Sequence, residues 1–112
     1  MNNRLAKAAI CTSMAVLLLG VSFSASGVTI RGTPSCGKWV EDRAQKGWGA
    51  INSQSWVLGF LSGVAAATEK EIIKGIDNPS IFLWIDNFCK ANPLKDVADA
   101  SHELVLEQWK KK

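Results

Sequence analysis

The chain has 112 residues, 47% of them apolar and 21% charged, which excludes a disordered polymer, a large multi-substrate enzyme, a Rossmann-type cofactor binder and a multi-pass membrane protein. Charge is unevenly spread: residues 1–27 carry only Arg4 and Lys7, so of thirteen Lys and Arg eleven remain to face ten Asp and Glu. That near balance, with no basic stripe interleaved with aromatics, argues against a nucleic-acid partner.

Asn2 to Lys7 form a short positive front, Ala8 to Val21 an apolar run, and Ser22 to Gly27 a stretch of mostly small residues that satisfies the −3/−1 rule at Ala25 and Gly27 or at Ser24 and Ser26. This is the three-part pattern of a secretory leader. The run is shorter than the ~20 residues of a spanning helix, so cleavage near Val28 is expected and stable membrane insertion is not. The expected organisation is a signal peptide over 1–27, an N-terminal segment over 28–34, and a helical domain over 35–112 with a Lys-rich tail. The leader takes Cys11 with it. Two cysteines remain, Cys36 and Cys89, and two cysteines in a small exported domain imply one disulfide. Closing so long a loop contributes about 4 kcal/mol in the chain-entropy model, a large share for about 85 residues. The expected compartment is the periplasm.

Four helical segments follow. In the first, Ser35 is a candidate N-cap, Cys36, Trp39, Val40 and Arg43-Ala44 recur at three-and-four spacing, and Gly47 ends it. Gly47-Trp48-Gly49 reads as a loop that leaves an indole partly exposed. Ser53 reads as the cap of the second segment, Trp56 to Ala67, where no charge interrupts twelve residues; burial on most sides is expected. Gly59, Gly63 and Ala67 lie four apart and make a smooth strip for the close approach of another helix. Glycine costs about 1 kcal/mol in a helix interior, which such packing must offset.

Glu69 to Gly75 is a polar exit. Asn78 as N-cap with Pro79 at the first helical position opens the third segment, whose apolar face is Ile81, Trp84-Ile85 and Phe88-Cys89. Asn92-Pro93 reads as a repeat of that device, ending the third helix and opening the fourth. There Leu94, Val97-Ala98, Ser101, Leu104-Val105 and Trp109 form one stripe. The expected fold is all-α: a compact three-to-four-helix domain with its first and third helices joined by Cys36–Cys89.

Chemistry-bearing constellations are sparse. The single histidine, His102, rules out a two-histidine metal motif. Zinc would need Cys36, Cys89 and two further ligands in an oxidising compartment. Asp77 with Asp86, and Glu69 with Glu71, are the candidate carboxylate pairs; Asp77 suits the turn before Pro79 and the others suit exposed faces. No enzyme activity, cofactor or metal is expected. Trp39, Trp56 and Trp84 take inward positions, and Trp109 stands at a helix end beside lysines. Trp48 is the candidate partner contact, given the weight of tryptophan in interface hot spots. With Gly59, Phe60 and Gly63 it makes the expected partner-binding set.

The skeleton Cys36-x-x-Trp39, Trp56-x-x-Gly59-Phe60-x-x-Gly63 and Cys89-x-x-Asn92-Pro93 resembles the small exported helical proteins of the HdeA/HdeB type. Those are periplasmic acid-stress chaperones with one disulfide and lysine-bearing ends. The same skeleton is similar to the Rap/Tai immunity proteins, which block peptidoglycan amidases delivered by type VI secretion. The resemblance spans Cys36 to Leu106, and its motifs are mainly structural. It implies a non-enzymatic protein-binding role: a chaperone that takes unfolded clients on acidification, or a dedicated binder such as an immunity protein or an accessory of an envelope secretion or conjugative transfer system. Monomer and homodimer both stay open.

Overall fold

The structure is a computed structural model that describes residues 27–111; the expected leader therefore falls outside the described residues, Gly27 excepted. Among the described residues four α-helices follow one another: α1 (Cys36–Gln45), α2 (Trp48–Thr68), α3 (Asn78–Ala91) and α4 (Val97–Lys111). Each of α1 and α4 packs against both α2 and α3. The helices thus surround a core of Trp39, Val57, Leu61, Ile72, Ile81, Ile85, Val97, Ala100 and Leu104. The fold is all-helical, and the Cys36–Cys89 disulfide joins α1 to α3 with both cysteines buried in that core.

Local chemistry sets the helix ends. Ser35 caps α1, its hydroxyl accepting from Lys38 N at 3.1 Å. Lys46, in a left-handed conformation, closes α1 by donating its N–H to Asp42 O, so Gly47 is left as the N-cap of α2. Asp77, one residue before the expected Asn78, caps α3 by accepting from Ser80 N, and Pro79 takes a first-turn position where no N–H is needed. Asn92 ends α3 as expected, its side chain donating to Phe88 O.

Four further expectations need correction. The second helix begins at Trp48, not after Ser53: Ser53 lies inside it, buried. Asn92-Pro93 does not open the last helix. Asp96 and Asp99 do so through a reciprocal pair of side-chain-to-backbone bonds, and Leu94 is left in the turn, fully exposed. The exit after α2 is not wholly polar, because Ile72 is 1% exposed and belongs to the core. Finally, α2 is buried on one side only. Ala50, Ser53, Val57 and Leu61 face inward, while Ser55, Gly59, Ser62, Gly63, Ala66 and Ala67 face solvent. At about 31 Å it is the longest helix among the described residues, and the shorter α1 and α4 cover only its inner flank.

The N-terminal segment fastens this bundle. Pro34 O accepts from Val97 N and Thr33 Oγ1 from Ala98 N, both at 2.9 Å, so two orphan donors of α4 are satisfied by residues far away in sequence. Cys36 N donates to Lys95 O beside them. Among the described residues no helix is long and apolar enough to cross a membrane.

Candidate functional site: the open face of the second helix

Helix α2 carries no charged residue from Trp48 to Thr68. At 100° per residue, Trp48, Gly59, Gly63 and Ala66 fall within about 60° of one another. Trp48 opens this face and is 80% exposed, and Ile51 beside it is half exposed. Among the described residues, a Cβ added at Gly59 or Gly63 would meet nothing within 4 Å. The smooth strip expected to receive a neighbouring helix is therefore present, but no helix of the described chain lies on it.

Phe60 sits at the flank. It is half-buried and stacks on Trp56 with ring centres 5.4 Å apart. Trp56 donates its indole N–H to Arg31 O at 3.0 Å, which lays the N-terminal segment along α2. Ile30, Arg31, Ser55, Trp56, Gly59 and Phe60 line a shallow groove there. Of the four expected contact residues, Trp48, Gly59 and Gly63 thus share the open face, and Phe60 borders it.

The opposite side of α2 is held by charge. Asp42 of α1 is buried and pairs with Lys38 Nζ, and Ser53 Oγ donates to it at 3.3 Å. A second tie joins α1 to α3. Arg43 donates through Nε and Nη2 to the two oxygens of Asp86, 2.9 Å each, and Trp39 Nε1 donates to Oδ1 at 2.7 Å. Burial opposes the ionisation of Asp86, but these bonds prevail and hold its carboxyl below the ordinary carboxylate range; the same pairing raises Arg43. Sequence patterning missed this tie, because its members come from separate helices.

The candidate carboxylate pairs have other roles. Asp77 caps α3, and Asp86 lies nine residues on, about 13 Å along the axis, engaged by Arg43. Glu69 and Glu71 are exposed at the end of α2, and His102 is exposed on α4. Trp84 packs against the core and donates to Glu107 Oε2 at 3.1 Å, while Lys70 lies over the Trp109 ring. Comparison with family models, curated proteins and solved structures finds no match for this chain.

Proposed function

We propose that this chain is a small periplasmic protein that performs no chemistry and docks one dedicated protein partner on the open face of α2. The observation that carries this reading is a 21-residue uncharged helix with an exposed tryptophan at its start and an uncovered strip of small residues along its length. The face brings the exposed Trp48 together with the half-exposed Ile51, and an exposed indole is a favoured anchor in interfaces. The leader pattern and the disulfide support the compartment. The resemblance to immunity proteins supports a partner that is blocked by binding; an accessory role in envelope secretion or transfer uses the same surface. The test is capture from periplasm at pH 7 followed by identification of the bound protein. One specific partner, lost with Trp48→Ala while the fold is retained, is the expected result. Equal capture by wild type and Trp48→Ala sinks it.

A second reading, an HdeA-like chaperone that binds unfolded clients on acidification, is favoured by the Asp86 tie. Its protonation loosens the far end of α1, while Cys36–Cys89 keeps the near end attached. Client protection that begins only below the ordinary carboxylate range supports it; acid conditions with intact fold and no protection dismiss it.

A further inference from the structure

Between α1 and α3 runs a cleft of about 430 Å³ lined by Val40, Arg43, Ala44, Lys46, Asp86 and Lys90. Three of these are cations and one is a carboxylate. Asp86 is committed to Arg43, which it holds by two hydrogen bonds. The guanidinium also stands 5.9 Å from the Trp39 ring centre and 5.8 Å from that of Phe82, so its plane is fixed. A guanidinium has five N–H donors. Asp86 uses two, and among the described residues no other acceptor is bonded to the rest. Lys46 and Lys90 enter no ion pair among the described residues. The cleft therefore holds a net positive charge beside the apolar side chains of Val40 and Ala44.

The geometry points to an acidic segment of a protein partner, an exposed turn or loop with Asp or Glu beside an apolar side chain, as the occupant of this cleft. Charge complementarity calls for carboxylates, and the preoriented Arg43 suits a planar acceptor. Val40 and Ala44 suit the methylenes and methyls next to such carboxylates. Trp48 follows Lys46 by two residues, within about 7 Å along the chain, and it is widely exposed. Lys46 of the cleft and Trp48 of the open face therefore stand at the same turn between α1 and α2. Arginine and tryptophan together are the residue types enriched in interface anchors. This inference rests on the protein-binding reading above and names the chemistry of the partner.

The test titrates the disulfide-bonded, isotopically labelled protein with short peptides of repeated Leu-Glu-Glu, Leu-Gln-Gln and Leu-Lys-Lys, and separately with phosphatidylglycerol vesicles. The Glu peptide is expected to shift the amides of Val40, Arg43, Lys46 and Lys90 saturably, with affinity falling as salt rises. Lys46→Glu with Lys90→Glu weakens it by about tenfold or more, the neutral K46Q/K90Q pair weakens it less, and Lys74→Glu, outside the cleft, leaves it unchanged. Equal shifts with the Gln peptide, unchanged affinity in both the charge-reversed and the neutral pair, or cleft shifts caused by vesicles and not by the Glu peptide, each overturn the proposal. Because the peptide is supplied, this result stands apart from the Trp48→Ala capture experiment. Equal capture by wild type and Trp48→Ala in that experiment removes the α2 docking reading without altering the titration.

Discussion

The carboxylate of Asp42 stands where a side chain at position 49 would have to go: its Oδ1 lies 2.5 Å from the place a Cβ on Gly49 would occupy. Asp42 is 4% exposed and is held by Lys38 and Ser53, so it has little freedom to retreat. The glycine in the first turn of α2 thus serves the close approach of α1. It also brings an acid to a helix N-terminus that has no side-chain cap of its own, where negative charge is favoured.

Gly49→Ala tests that approach. Alanine favours the helix by about 1 kcal/mol, but crowding a packed site costs about 1 to 3 kcal/mol. Net destabilisation is expected in urea denaturation. Combining it with Asp42→Ala removes the clash, so the double variant loses less than the two single losses summed. Additive losses would show that the two residues do not meet.

Acid dependence follows from Asp86. Its carboxyl lies below the ordinary range in the fold, so the unfolded chain takes up a proton first as pH falls. The stability this pair supplies is complete at neutral pH, above the unfolded value. It is lost as pH drops from the ordinary carboxylate range through the lower value in the fold. Asp86→Asn is expected to cost about 2 kcal/mol at pH 7, with the gap to wild type closing in acid. A gap that is independent of pH means the loss is one of packing.

Much of the architecture is legible from residue types alone. The cap at Ser35, the proline at 79 and the spacing of Ile81, Ile85 and Cys89 each report a local preference that the tertiary structure keeps. The start of α2 is not legible. Gly47-Trp48-Gly49 carries the composition of a loop, yet Gly47 is the N-cap and the helix starts at Trp48, with Gly49 leaving room for Asp42 of another helix. Absence of charge in α2 suggests burial, yet glycine, serine and alanine are uncharged without being large enough to force it, and they fill the outer face. Leu94 and Ile72 exchange their expected environments for a related reason: a turn and a connection take their burial from neighbours, not from periodicity. Of the candidate site, Trp48 is visible as an indole with no apolar stripe to join. The cleft of Arg43, Lys46 and Lys90 is invisible until α1 and α3 are side by side.

Ser101 gives an independent check on the core. It is fully buried on α4 and its hydroxyl has no hydrogen-bond partner among the described residues. A buried unsatisfied hydroxyl costs about 1 to 3 kcal/mol, and alanine has the better helix propensity. Ser101→Ala is therefore expected to raise the denaturation midpoint. A lowered midpoint would reveal a partner for that hydroxyl.

The open face of α2 is tested most directly by the stability of a Gly59→Ala, Gly63→Ala double variant. With nothing within 4 Å of either added methyl, each alanine improves helix propensity by about 1 kcal/mol and meets no neighbour. The expected result of equilibrium urea denaturation is a protein more stable than wild type by up to about 2 kcal/mol. A protein less stable than wild type would mean that this strip is packed inside the folded chain, which contradicts the proposal that it is a surface kept free for a partner.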